Sequence, residues 1–166
     1  GMNISSLQGD SKIIDHLRSM GAFIEINSNG VVAMPSHLFG AELDCTDTPD
    51  LLPILCVAAA VAQGTTVFTG VGRLRFKESD RLEAMRQVLA SFGIASHVGE
   101  DTFTVFGGEP VANGVVNSFG DHRIAMSAAI MSCVAKGLTT IDNSICVAKS
   151  YPTFFDDFAM LGGLIK

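Results

Sequence analysis

Apolar residues recur at helical spacing twice along the chain. Ile13, Ile14, Leu17 and Met20 lead into Gly21, and Leu82, Met85, Val88, Leu89 and Phe92 lead into Gly93. Steps of three and four residues lay one apolar stripe on a helix, and each glycine suits the left-handed residue that ends one. Ser79 or Asp80 caps the second helix, with Glu83 spaced to complete a capping box with Asp80. After the first stripe come two β-branched or aromatic runs, Phe23 to Ile26 and Val31 to Met34, around the turn Asn27-Ser28-Asn29-Gly30. After the second comes Thr102 to Phe106, preceded by Gly99-Glu100-Asp101. A further helix in each half, Leu51 to Ala62 and Ile124 to Ala135, is apolar on every side. A helix with no polar face has to be buried. Each half closes on a strand, Thr65 to Thr69 and Leu138 to Asp142.

The two halves are copies. Ser19-Met20-Gly21-Ala22 recurs as Ser91-Phe92-Gly93-Ile94 at an offset of 72, and Ala62-Gln63-Gly64-Thr65-Thr66 as Ala135-Lys136-Gly137-Leu138-Thr139 at 73. An offset this constant points to one α/β unit used twice, over approximately 8–77 and 78–152, within a single domain covering 1–166. The sheet of each unit faces outwards and one helix of each is interior. Asp50 and Arg123, 73 residues apart, begin the two buried helices and are equivalent positions.

Composition narrows the classes. A chain of 166 residues fits one domain with a real core. It is 48% hydrophobic, yet its longest apolar run, Leu51 to Ala62, contains Pro53 and stops at Gln63-Gly64, short of the roughly 18 residues a membrane span needs. Gly1-Met2-Asn3 lacks the basic-then-apolar build of a signal peptide, which predicts a cytoplasmic protein, and Gly1 ahead of Met2 reads as the remnant of a cleaved tag. A net charge of −6 argues against non-specific nucleic-acid binding. Cys45, Cys56, Cys133 and Cys146 form no CxxC pair and have no histidine at ligand spacing, so they read as reduced core thiols rather than a metal or redox site.

Charge is scarce, at 17% of residues, but between Arg73 and Arg81 it reaches six residues in nine. Taken alone, the run is accounted for by a solvated loop and a capping box. Arg123 is harder to explain that way, because it begins a buried helix, where a guanidinium needs an acidic partner or a bound anion. Helix N-termini favour anions through their unpaired N–H groups. Lys149, after the second closing strand, adds a third basic position. Asp50 and Glu78 in the same places suit an enzyme that moves protons at a phosphorylated substrate more than a simple anion receptor. His122 is either a helix-start cap or an acid–base group.

The run Lys77-Glu78-Ser79-Asp80-Arg81-Leu82 resembles the hallmark segment of the EPSP synthase family. Gln8-Gly9-Asp10, Pro49-Asp50, Asp121-His122-Arg123-Ile124-Ala125-Met126 and Ala148-Lys149-Ser150-Tyr151-Pro152 also resemble family blocks, in the family's order. The resemblance implies two domains of βαβαββ units packed as an inside-out barrel, with the active site in the cleft between them. About two units would be present here, as the carboxy-terminal part of the enzyme. It implies enolpyruvyl transfer from phosphoenolpyruvate to the 5-hydroxyl of shikimate 3-phosphate, in the shikimate pathway to aromatic amino acids, with no metal or organic cofactor. Arg81, Arg123 and Lys149 would hold phosphoenolpyruvate. Asp50 would take the proton of the acceptor hydroxyl, with Lys77 at the same group. Glu78 would move a proton at the methylene carbon, with His122 nearby.

The implied partners are the two substrates and a missing amino-terminal domain, which makes this chain half a site, inactive by itself. Arg73 stands where many members carry a polar, non-basic residue, so no substrate contact is carried over to it. The enolpyruvyl transferase acting on UDP-N-acetylglucosamine is the nearest rival, but its segments resemble DLRA and RGY where this chain reads DHRIA and KSYP. A non-catalytic anion-binding module of the same fold is disfavoured by the presence of Asp50 and Glu78.

Overall fold

Two apolar helices lie against each other at the centre of the fold, α2 (Leu52–Val61) and α4 (His122–Ser132). The computed structural model describes residues 9–28 and 30–165; Gly1-Met2-Asn3, Gln8 and Asn29 of the motifs above lie outside them. Leu52, Leu55, Cys56 and Ala59 meet Ile124, Ala128 and Met131 in one core. The amphipathic helix α3 (Arg81–Ser91) packs beside both, burying Leu82, Met85, Val88 and Leu89 along the expected stripe. Its counterpart α1 (Ile13–Ser19) packs on α2 and buries Ile14 and His16.

Both amphipathic helices end in the same way. Gly21 N–H donates to Arg18 O and Ala22 N–H to Leu17 O, while Gly93 N–H donates to Ala90 O and Ile94 N–H to Leu89 O. This paired bonding to the last turn requires a left-handed residue, and Gly21 and Gly93 have φ of +91° and +73°. At the start of α3 the Asp80 carboxylate accepts from Glu83 N–H. The second half of the expected capping box is absent. The Glu83 carboxylate turns forward to Arg86 and Gln87, three and four residues on, where a full cation is available.

Strands β1 (Phe23–Asn27) and β2 (Gly30–Met34) form an antiparallel hairpin, and β3 (Glu42–Asp44) runs parallel to β4 (Thr65–Thr69). The order then recurs after α3. Strands β5 (Ser96–Val98) and β6 (Thr102–Phe106) form a hairpin, and β7 (Val115–Asn117) runs parallel to β8 (Thr140–Asp142). Antiparallel pairing of β4 with β6 joins the halves into one four-stranded sheet, ordered β3-β4-β6-β5. Leu43, Phe68, Phe103 and Val105 point from it into the core, while Glu42, Asp44, Thr65, Thr69 and Phe106 point out. The hairpin β1–β2 and the pair β7–β8 remain two-stranded sheets.

Two expected elements stop two or more residues short of their apolar runs at one end. Helix α4 ends at Ser132 rather than Ala135, and β8 begins at Thr140 rather than Leu138. Val134 and Leu138 are exposed, so no burial extends either element, and Lys136 instead bridges to Val111. A last helix, α5 (Phe154–Met160), has no buried residue. Among the described residues no helix is long and apolar enough to cross a membrane, and no side-chain group is arranged to hold a metal ion.

Candidate functional site

Helices α2, α3 and α4 all begin at one end of the fold, and Arg81 joins the three starts. It is the first residue of α3 and its side chain is only 2% exposed. Its Nε donates to Asp121 Oδ2 at 2.7 Å, its Nη1 to Asp50 Oδ1 at 2.7 Å and its Nη2 to Glu78 Oε2 at 2.7 Å. Taking a guanidinium out of water costs several kcal/mol, and paired, hydrogen-bonded carboxylates are what offset that cost. Here there are three.

Asp121 is fully buried and is the N-cap of α4, accepting from Arg123 N–H at 2.9 Å and from Ser79 Oγ at 3.1 Å. Asp50 sits in the 3-10 turn Pro49–Leu51 that leads into α2. Its carboxylate lies 3.3 Å from Lys77 Nζ and 3.7 Å from Arg123 Nη2, and its carbonyl accepts from Arg123 Nη1 at 3.1 Å. The two equivalent helix starts therefore touch. Glu78 Oε1 accepts from Lys149 Nζ at 3.1 Å, and Lys149 ends the 3-10 turn Ser144–Lys149 that follows β8. The Glu78 carboxyl is held down at about 2 by its own backbone N–H, by the Lys149 hydrogen bond and by the Arg81 and Lys149 charges, against a smaller opposing push from burial. Hydrogen bonds, first the one from its own backbone N–H and then the one from Lys149, therefore outweigh burial in setting the charge of Glu78.

One connected cluster thus contains Asp50, Lys77, Glu78, Arg81, Arg123 and Lys149. Asp121, noted in the sequence only as part of the Asp121-His122-Arg123 block, is its deepest carboxylate. Four cations face three carboxylates, a formal excess of one positive charge. Arg81 is sealed beneath its partners, so an incoming anion reaches it only if those carboxylates move. The accessible cations are Lys149, Lys77 and Arg123, with side chains 59%, 35% and 31% exposed. His122 is buried beside Asp121, its Nδ1 4.0 Å from Asp121 Oδ1 and without a hydrogen-bond partner. It borders the ionic chain rather than joining it. Arg73 and Arg75 point elsewhere, to Thr46 O and to Gly99 O and Asp80.

A separate depression of about 590 Å³, lined by Ser36, His37, Val61, Gln63, Gly107 and Glu109 among others, lies at the far end of α2. Glu109 is engaged there with Lys136, and no comparable set of charges converges. The cluster at the helix starts is the better site because it gathers acids, bases and anion-binding groups in one place.

Three comparisons bear on what such a cluster does. A family model described as EPSP synthase (3-phosphoshikimate 1-carboxyvinyltransferase) matches residues 1–158. A 3-phosphoshikimate 1-carboxyvinyltransferase of Clostridium acetobutylicum is 44% identical over 162 residues, covering 98% of this chain and 37% of the relative. The 2.37 Å structure of EPSP synthase from Acinetobacter baumannii superposes with a TM-score of 0.83 at 32% identity, covering all of this chain and 41% of that one. The enolpyruvyl transferase NikO from Streptomyces tendae has a TM-score of 0.76 at 24% identity over 94% of this chain and 36% of its own, a likeness of fold alone. The chain spans well under half the length of the curated relatives it matches.

Proposed function

The chain belongs to the EPSP synthase (3-phosphoshikimate 1-carboxyvinyltransferase) family, and from that premise we propose that it carries part of the site for enolpyruvyl transfer from phosphoenolpyruvate to the 5-hydroxyl of shikimate 3-phosphate. The observation that carries the reading is the interleaving of Asp50 and Glu78 with Lys77, Arg81, Arg123 and Lys149 at three helix starts. An anion receptor needs only the cations; acid–base chemistry needs the carboxylates as well.

In this reading Arg123 and Lys149 receive phosphoenolpyruvate first, and Arg81 reaches it once the carboxylates shift. Asp50, with Lys77 beside it, accepts the proton of the attacking hydroxyl. Glu78 delivers a proton to the methylene carbon as the new C–O bond forms, giving a tetrahedral intermediate. It takes a proton back from the resulting methyl group as the C–O bond to phosphate breaks, and phosphate leaves with the proton that Asp50 took from the hydroxyl, which restores both carboxyl groups. A carboxyl at about 2 is a poor proton donor at neutral pH. The substrate itself eases this: an anion that draws Lys149 and Arg81 away removes part of what holds Glu78 ionised, its backbone N–H bond remaining, and adds a negative neighbour, and both changes raise its pKa. This reading also assigns His122, buried beside Asp121 at the same helix start, to the neighbourhood of the bound anion.

The remaining contacts come from outside this chain. The chain's short span of its relatives supports a further domain that grips shikimate 3-phosphate. The two-stranded sheets β1–β2 and β7–β8 support further strands too, since their counterparts join across the halves into four. On this reading the single domain over 1–166, with units at approximately 8–77 and 78–152, is the carboxy-terminal portion of a two-domain enzyme. The test is made in the full-length enzyme. Glu78→Gln and Asp50→Asn each lower kcat about a hundredfold, whereas Arg123→Ala chiefly raises KM for phosphoenolpyruvate. Wild-type kcat in Glu78→Gln would remove that residue from the mechanism.

A further inference from the structure

Helix α1 lies outside the charge cluster, yet it holds the loop that delivers Asp50. His16 of α1 is buried, and its Nε2 lies 3.2 Å from the hydroxyl of Thr48, itself 2% exposed. Thr48 immediately precedes the turn Pro49–Leu51. Its hydroxyl, at the N-cap position, makes no capping bond to that turn and faces His16 instead. Thr48 N–H donates to Cys45 O, and Thr48 O accepts from Leu51 N–H, so the residue links β3 to the turn bearing Asp50. A second tie, Lys12 Nζ to Asp47 Oδ2 at 3.1 Å, holds the same loop to the same helical segment, but both partners are largely exposed. On the loop's other side Gly70 packs so closely that a Cβ there would stand 2.1 Å from Thr46 Oγ1. The loop is gripped from both sides, and His16–Thr48 is the buried polar contact among these ties.

We propose that His16 is a positioning residue for Asp50, acting through Thr48 to set where the Asp50 carboxylate meets Arg81, Lys77 and Arg123. The proposal rests on the role assigned to Asp50 above. The ionic partners of Asp50 do not fix its place by themselves, because Lys77 and Arg123 are partly exposed and Arg81 is shared with Glu78 and Asp121. Besides the bonds from Arg123 to Asp50 O and from Arg73 to Thr46 O, backbone placement comes from residues 45–51, and Thr48 is the position where that stretch is fastened to α1. Burial, and then the charge of Lys12, lower the pKa of His16, while Asp15 and Asp44 oppose them more weakly. This favours an uncharged ring, as suits a contact with a hydroxyl. A displacement of about 1 Å in a reacting group is enough to cost up to a hundredfold in rate, so a second-layer contact of this kind bears on turnover without touching substrate.

The experiment measures kcat and KM of the full-length enzyme for Thr48→Val, His16→Phe and His16→Gln, each alone and in an Asp50→Asn background. Thr48→Val and His16→Phe are expected to lower kcat about tenfold and to leave KM for phosphoenolpyruvate within about twofold. A His16→Phe/Thr48→Val double variant is no worse than either single one, because both break one contact. His16→Gln, whose amide reaches the position of Nε2, restores kcat. In the Asp50→Asn background neither His16→Phe nor Thr48→Val lowers kcat further. Thr48→Val is nearly isosteric, so it carries the test even where His16→Phe fails to fold. Wild-type kcat in Thr48→Val, or a His16→Phe loss that persists undiminished in Asp50→Asn, would overturn the inference while leaving the proposed chemistry intact. Wild-type kcat in Asp50→Asn alone would instead overturn the role of Asp50, and the inference with it.

Discussion

Replacing Asp121 by asparagine removes one negative charge from beneath a buried arginine and puts an amide NH2, which cannot accept, where Oδ2 accepts from Arg81 and Ser79. Asparagine caps a helix about as well as aspartate, so the bond from Arg123 N–H at 2.9 Å survives. The ion pair to Arg81 Nε at 2.7 Å does not, and neither partner has access to water: the Arg81 side chain is 2% exposed and that of Asp121 fully buried. Breaking one side of a buried pair costs about 3–5 kcal/mol. Asp50 and Glu78 remain on Arg81 and still compensate its charge, which places Asp121→Asn near the lower end, about 3 kcal/mol. For a chain of 166 residues that is a fall in Tm of about 6–12 °C. Asp121→Ala also loses the cap, worth about 1 kcal/mol more. Urea and thermal unfolding followed by circular dichroism measure both. An Asp121→Asn variant within about 0.5 kcal/mol of wild type would refute the reasoning, since that is the scatter expected of unconnected surface substitutions.

Acid should weaken the fold through Glu78 and Glu83, whose folded carboxyls both lie at about 2. Their stabilisation is complete above the unfolded value of about 4.3 and is lost as pH falls through 2, so Glu78→Gln flattens that part of a urea-unfolding series against pH; an unchanged slope would count against it. Phosphate at millimolar concentration should shift the NMR resonances of Arg123 and Lys149 in this chain, with the effect fading as salt rises. Silence at both residues would show that the exposed cations do not form an anion seat. By itself the chain should show no enolpyruvyl transfer, because one wall of a site cannot position the acceptor hydroxyl; phosphate release by the isolated chain at an ordinary enzymatic rate would contradict the half-site reading.

What could be read from sequence was what depends on near neighbours. The stripe from Leu82 to Phe92 and the glycines at 21 and 93 are set by spacing within one helix. The burial of α2 followed from its having no polar side to turn outwards. Strands β3, β5 and β7 escaped because three residues are too few to show alternation, and Ser96-His97-Val98 is an edge strand with little to bury. The capping box failed at Glu83 because local propensity could not weigh Arg86 against the N-cap backbone. At the site, helix starts and closing strands located the charges, but many of their partners stand far apart in sequence, 31 residues for Arg81–Asp50 and 73 for Arg123–Asp50. The repeat offset marked Asp50 and Arg123 as equivalent helix starts, but spacing in sequence does not say which side chains pair. For that reason the burial of Arg81 and the depth of Asp121 emerged only in three dimensions. The Asp-His-Arg start of α4 did carry a usable hint, since an aspartate just ahead of a buried helix is an N-cap signal.

The most direct measurement is phosphate release from phosphoenolpyruvate by the full-length protein, with shikimate 3-phosphate or UDP-N-acetylglucosamine as acceptor, in wild type and in Asp50→Asn. The account predicts release with shikimate 3-phosphate only, reduced about a hundredfold in the variant. Release that requires UDP-N-acetylglucosamine, or a rate with shikimate 3-phosphate unchanged by Asp50→Asn, would contradict it.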